Sequence, residues 1–174
     1  MLTFIFCLFG LLLLAAVFMK KKHSVNCSIN VEVTADYAYN FLRFLKNQER
    51  FNKWAQTDPH RKVSTVGEDG SVGYKFIWSG DKSAGEGEKE ILNLIVNEKI
   101  ETVIRFVRPM AVVAYVTMET TKLSGNATKV SFINFGILKY PMNLLIPFAE
   151  KNFAKDMNES LKNLKVILEQ EFSA

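Results

Sequence analysis

The C-terminal part of the chain places the strongest constraint on the fold. Within residues 142–172, mostly apolar side chains recur at helical spacing and form a single stripe along the predicted helix. The stripe consists of Met142, Ile146, Ala149, Phe153, Met157, Ser160, Leu164 and Ile167. Pro147 either kinks this helix or marks its true start, because proline is tolerated in the first turn. A helix with such a stripe is stable only against a large apolar partner surface.

The sequence before this helix predicts that surface, because most of it alternates with the period of a β-strand. Predicted strands cover residues 23–33, 62–66, 73–79, 85–96, 99–107, 111–123 and 128–136. A helix capped by Thr34 and a second helix over residues 48–55 follow the first strand. The short connections favour antiparallel pairing. We therefore expect an α+β fold in which a curved seven-stranded antiparallel sheet surrounds the C-terminal helix and leaves a concave apolar space.

The N-terminal segment predicts a membrane anchor. Residues 2–19 carry no charge, and Lys20, Lys21 and Lys22 follow them directly. A helix of that length spans roughly 27 Å, close to the ~30 Å hydrocarbon core. No positive side chain precedes the apolar run, which favours an anchor over a cleaved signal peptide. The positive-inside rule then predicts a single-pass membrane protein with its N-terminus outside and its C-terminal domain in the cytoplasm.

This division gives two parts, residues 1–22 as transmembrane helix with basic flank and residues 24–174 as one domain. The net charge of +4 lies mostly in the three lysines of the flank, so the domain lacks the basic surface of a nucleic-acid-binding protein. Its isolated histidines and Cys27 form no metal-binding pattern and no catalytic triad, and no glycine-rich loop has the phosphate-binding ending. We therefore expect no metal, no cofactor and no nucleic acid.

Several short motifs occur in a fixed order between residues 24 and 170. They are Phe51-x-x-Trp54-x-x-x-Asp58-Pro59, Gly73-x-x-x-x-Trp78-x-Gly80, Gly85-Glu86-Gly87-Glu88, Asn97-Glu98-Lys99-Ile100, Phe106-x-x-Pro109 and Tyr140-Pro141-Met142-Asn143-Leu144. Together they resemble the START-like SRPBCC superfamily, in its polyketide cyclase/dehydrase-like branch. The resemblance implies the helix-grip fold and a cavity for a small hydrophobic or lipid-like ligand. Bacterial members of this branch with one N-terminal membrane helix are familiar, which agrees with the predicted anchor.

The candidate ligand-binding residues are mainly aromatic side chains of the predicted sheet and helices. They are Trp54, Tyr74, Phe76, Trp78, Glu88, Phe106, Phe132, Phe153 and Met157. Aromatic side chains in such positions either form the wall of a pocket or fill the core. Glu88 shares one strand face with Glu86 and Glu90, and that face either lines the cavity, where a carboxylate can act as acid or base, or faces solvent. Asn134 and Tyr115 are further polar candidates.

Three functions stay open at this point. The first is a binding module for a small hydrophobic ligand, which we favour because it agrees with the resemblance, the apolar stripe of the C-terminal helix and the predicted anchor. The second is an enzyme similar to polyketide cyclases and aromatases, which the family resemblance implies. The third is a protein-interaction module, similar to the chaperone-activator relatives of the superfamily. No residue specifies the ligand, a reaction or the protein partner.

Overall fold

The structure, a computed structural model, describes residues 2–173; Met1 and Ala174, at the ends of the two predicted parts, lie outside the described residues. The strands are β1 (Lys22–Val31), β2 (Lys62–Val66), β3 (Lys75–Ser79), β4 (Glu86–Ile95), β5 (Lys99–Arg108), β6 (Val112–Ser124) and β7 (Ala127–Ile137). The α-helices are α1 (Leu2–Phe18), α2 (Ala35–Leu42), α3 (Leu45–Phe51) and α4 (Ile146–Phe172). Two short 3-10 helices cover Lys53–Thr57 and Met142–Leu145.

The seven strands form one antiparallel sheet with the order β1-β7-β6-β5-β4-β3-β2. Consecutive strands from β2 to β7 pair as neighbours, while β1 crosses over to pair with β7. The predicted α+β arrangement, a seven-stranded antiparallel sheet with a long C-terminal helix, is confirmed. Residues alternate between buried and exposed along the first part of β1, as expected for a strand with one face on the core.

Helix α4 packs on the buried face of the sheet. It begins at Ile146 with Pro147 in its first turn. Of its two predicted roles, Pro147 therefore has the one of marking the start of the helix. Its fully buried residues include Met157, Leu164 and Leu168, which belong to one hydrophobic core with residues of β1, β5, β6, β7 and α2. Burial of this stripe is the main reason why the helix is stable.

Helix α3 begins three residues before the predicted second helix. The carboxylate of Asp69, in the turn after β2, accepts hydrogen bonds from the backbone N–H groups of Leu45 at 2.8 Å and Lys46 at 3.1 Å. These are two of the donors that the start of a helix leaves without partners. Asn52 then ends α3, and its side chain accepts from the Trp54 N–H at the start of the next 3-10 helix.

The predicted transmembrane helix and the single-pass membrane location are wrong. In the part of the chain that the structure describes, no helix has the length and apolarity needed to cross a membrane. Helix α1 has 17 residues and ends at Phe18, which gives about 25 Å against a hydrocarbon core of ~30 Å.

The Asn143 side chain fixes the end of α1, because its Nδ2 donates to the carbonyl oxygens of Ala16 at 2.6 Å and Met19 at 3.2 Å.

Candidate ligand-binding cavity

A cavity of about 260 Å³ lies between the sheet and helix α4. Its wall combines His23 of β1 with Trp78 of β3, two strands that are five positions apart in the sheet. In a flat sheet these strands would be about 24 Å apart, since neighbouring strands are separated by ~4.8 Å. The sheet therefore curves around the space, and Phe153 of α4 closes it from the helix side.

Aromatic rings in two clusters form much of the wall. The Trp54 ring contacts Phe132 and Phe153 edge-on, with ring centroids 6.4 Å and 6.2 Å apart. Trp78 and Phe106 form the second cluster, with centroids 5.7 Å apart and an interplanar angle of 82°. Edge-to-face pairs of this kind are favoured by the ring quadrupoles and hold each ring in a defined orientation. The two clusters therefore give the wall a preformed aromatic surface.

The cavity brings together six of the nine predicted site residues: Trp54, Phe76, Trp78, Phe106, Phe132 and Phe153. Tyr74 is buried in a separate small core with Leu45 and Ile91, and Met157 is buried in the main core. Neither of them lines the cavity, and Glu88 lies on the other face of the sheet. That any of the six residues on the cavity wall contacts a ligand stays a prediction.

Glu88 lies on the outer face of β4, in an ion-pair network with Arg105 of β5. Arg105 Nη1 donates to Glu88 Oε1 at 2.8 Å and to Glu90 Oε2 at 2.6 Å. The hydrogen bond to Glu90, followed by that to Glu88, raises the pKa of Arg105 above its usual value. Of the two interpretations of the glutamates, the solvent-facing one is therefore observed, and Glu88 is removed from the cavity candidates.

His23 is a wall residue that the sequence analysis missed. It is buried on β1, its Nε2 is 3.1 Å from the Asn134 Oδ1, and its ring lies 5.5 Å from that of Phe153. Its Nδ1 has no hydrogen-bond partner among the described residues. The alternation of β1 indicates this position, because His23 lies on the same face of the strand as Val25 and Cys27, both of which are buried.

Gly136 makes room for the His23 ring. The two residues are directly opposite each other in the β1–β7 pair, and a Cβ on Gly136 would lie 2.4 Å from the His23 Cε1. We expect Gly136→Ala to lower the free energy of unfolding by about 1–3 kcal/mol, the usual cost of overpacking. Urea denaturation measures this cost.

The control for this prediction is Gly125→Ala, since a Cβ on Gly125 has no atom within 4 Å. Adding His23→Ala to Gly136→Ala should recover part of the lost stability, because the clash is removed. Equal effects of the two single glycine substitutions would contradict the assigned role of Gly136.

Lys89 is the second wall residue that the sequence analysis missed. It lies between Glu88 and Glu90 on β4, and its side chain points to the opposite face from theirs, into the protein. Burial lowers its pKa from 10.5 to about 8, because the charged ammonium loses its hydration. The parity of β4 contained this signal as well: once the glutamates face outward, Lys89 must face inward.

Two arginines on the wall are already paired with carboxylates. Arg61 contacts Glu49 of α3, and burial lowers the pKa of its guanidinium. Arg108, at the end of β5, donates through its Nε to the Glu86 Oε2 at 2.8 Å. These pairs place charge at the cavity but leave little of it uncompensated.

The comparisons with known proteins find similarity in structure only. No protein-family model matches the sequence, and no curated protein is similar enough to count as a relative. Among solved structures, protein CV1439 from Chromobacterium violaceum is 18% identical, with a TM-score of 0.59 over 84% of this chain and 97% of its own. Norcoclaurine synthase from Thalictrum flavum, in a complex with dopamine and hydroxybenzaldehyde, is 12% identical, with a TM-score of 0.64 over 88% and 90%.

Ara h 8.0201 is a third similar structure, at 10% identity and a TM-score of 0.61 over 84% of this chain and 97% of its own. Identities this low show the fold and nothing finer. Together with the seven-stranded antiparallel sheet and the long C-terminal helix, these similarities show that the fold is a START-like helix-grip fold.

Proposed function

We propose that this protein is a binding module that holds a small hydrophobic molecule in the cavity between the sheet and helix α4. The observation that carries the proposal is the preformed cavity of about 260 Å³ with two clusters of aromatic rings on its wall. Ligand pockets are typically apolar and of ~300 Å³ or more, so this one suits a small ligand. Its two aromatic clusters, Trp54 with Phe132 and Phe153, and Trp78 with Phe106, can enclose a flat or chain-like apolar group.

The similar structures support the proposal by analogy. Norcoclaurine synthase, which shares the fold, was solved with dopamine and hydroxybenzaldehyde, two small aromatic molecules. The proposal places this chain in the START-like SRPBCC superfamily, in the branch similar to polyketide cyclases and dehydrases. It assigns ligand binding to the predicted domain of residues 24–174, extended at its start to include His23.

The test is a titration of the full chain with the neutral fluorescent probe N-phenyl-1-naphthylamine. The protein has two tryptophans, and both lie on the cavity wall. A probe in the cavity should therefore gain fluorescence and quench the tryptophan emission by energy transfer, both with the same saturable dependence on concentration.

Two neighbouring positions on β5 provide a matched pair of variants. Phe106 lines the cavity, while Val107 is 59% exposed. Phe106→Asp should weaken probe binding at least tenfold, since it places an unpaired carboxylate on an apolar wall, whereas Val107→Asp should not change it. Circular dichroism checks that both variants are folded. A probe that does not bind saturably, or that binds both variants equally, would refute the proposed function.

A further inference from the structure

Lys89 lines the proposed ligand cavity, and its ammonium group is buried beside Gln48. The residue is 9% exposed and lies on the inner face of β4. The neighbouring glutamates face away from it, toward Arg105 and Lys75 on the outside of the sheet. None of these outer charges hydrogen-bonds to Lys89, so its own surroundings must balance its charge.

Those surroundings supply one neutral partner. Lys89 Nζ donates to the Gln48 Oε1, and the Gln48 Nε2 donates in turn to the Leu42 carbonyl oxygen at 2.7 Å, which fixes the orientation of the amide. An ammonium has three N–H donors, and Gln48 accepts one of them. Among the described residues, Gln48 is the only hydrogen-bond partner of Lys89 Nζ. A buried cation with a single neutral partner is costly unless an anion joins it.

The other charged groups of the wall do not supply that anion. They are Arg61 and Arg108, which are paired as described above, and Glu49, which is bound to Arg61. Within the described part of the wall, three cationic side chains therefore face one carboxylate, and Lys89 is the cation without a carboxylate partner. The excess positive charge is complementary to an anionic group of a ligand.

We propose that Lys89 anchors the carboxylate of an amphipathic ligand whose apolar part lies among the aromatic rings of the cavity. The inference rests on the proposed function and adds the chemical class of the ligand. A carboxylate fits better than a phosphate, since one ammonium with a neutral neighbour balances a single charge. In a cavity with low effective dielectric, the charge-assisted hydrogen bond from Nζ is stronger than one made in water.

The anchor depends on pH, because Lys89 attracts an anion only while it is protonated. Burial brings the pKa of Lys89 to about 8. A bound carboxylate should raise this pKa again, because a nearby negative charge favours the protonated ammonium. The preference for a carboxylate should therefore be present at pH 7 and lost by about pH 9.5. The other titratable or charged wall groups are His23, Glu49, Arg61 and Arg108, and a Lys89 variant separates their effects from that of the lysine.

The test measures how decanoate and decanol displace N-phenyl-1-naphthylamine from the full chain. These competitors have the same alkyl chain and differ in the head group, so the ratio of their dissociation constants reports the carboxylate anchor. Lys89→Met should shift this ratio at least tenfold toward decanol at pH 7, while decanol itself still binds. Raising the pH to 9.5 should shift the ratio in the same direction for the wild type and leave it unchanged for the variant.

Lys75→Met is the matched control, because it removes the same charge from the outer face of the neighbouring strand. It should leave the ratio unchanged. If the probe and decanol bind but Lys89→Met does not alter the ratio, the carboxylate anchor is refuted and the proposed function stands. If neither probe nor competitors bind the wild type, the proposed function itself is refuted.

Discussion

Replacing Lys89 with methionine should raise the free energy of unfolding by about 2 kcal/mol at pH 7. Folding lowers the pKa of Lys89 from 10.5 to about 8, and a shift of that size corresponds to about 3 kcal/mol of unfavourable charge burial. Methionine fills a similar volume without the charge. It leaves the buried Gln48 Oε1 without its partner, which costs about 1 kcal/mol and accounts for the smaller net gain.

The same group makes the stability of the wild type depend on pH. Between about pH 8 and pH 10.5 the folded state binds fewer protons at Lys89 than the unfolded state does. The free energy of unfolding therefore rises with pH in this window relative to the Lys89→Met variant, by up to about 3 kcal/mol. Urea denaturation of both proteins at several pH values measures the difference between their free energies of unfolding. The contributions of the other titrating groups cancel in this difference, because both proteins contain them.

Lys75→Met serves again as the control and should change the free energy of unfolding little. The ion pairs of Lys75 with Glu88 and Glu90 are partly exposed and contribute little to stability. A Lys89→Met protein that is less stable than the wild type at pH 7, or a difference that does not vary with pH, would contradict the burial of an ammonium in the cavity wall.

Leu164→Ala should lower the free energy of unfolding by about 3 kcal/mol. Leu164 is fully buried in the stripe of α4, in the same core as Met157 and Leu161. Removing its branched end loses the free energy of burial and leaves a space that rigid neighbours fill only in part. Val166, two residues further along α4, is 53% exposed, so Val166→Ala should change stability by less than about 0.5 kcal/mol.

This substitution also separates stability from binding. Leu164 is about 16 Å along the helix axis from Phe153, the residue through which α4 contributes to the cavity. Leu164→Ala should therefore leave the dissociation constant of N-phenyl-1-naphthylamine unchanged under conditions where the protein is folded. Equal costs of Leu164→Ala and Val166→Ala in urea denaturation would show that α4 does not bury the described face.

The architecture was predictable because it follows from patterns that extend over many residues. The stripe of α4 and the alternation of the seven strands both depend on burial, which repeats along each element. Local boundaries were less predictable. The start of α3 depends on Asp69, which lies more than twenty residues away in the chain, and the end of α1 depends on Asn143. Contacts between distant residues leave no local pattern.

The faces of β4 show why part of the site was missed. Glu88 has the same parity as Leu92 and Leu94 in the sequence, which left the orientation of the strand open. In the structure, the pairing of β4 with β5 shifts between Ile91 and Asn93, so the alternation changes there. Lys89 and Ile91 face inward before the shift, and Leu94 packs against the core after it. Without this irregularity the inward lysine would have been evident.

The pairing of β1 with β7 has a consequence for synthesis of the protein. Strand β1 is made early, yet within the described residues it pairs only with β7, the last strand, and it packs against α4, the last helix. The hydrogen bond from Thr128 Oγ1 to the Val33 carbonyl oxygen closes this pairing across 95 residues. A chain growing on the ribosome therefore holds β1 unpaired until nearly all of it has emerged, and such non-local closure is slow. During that interval the backbone N–H and C=O groups of β1 are unpaired and can pair with strands of other chains.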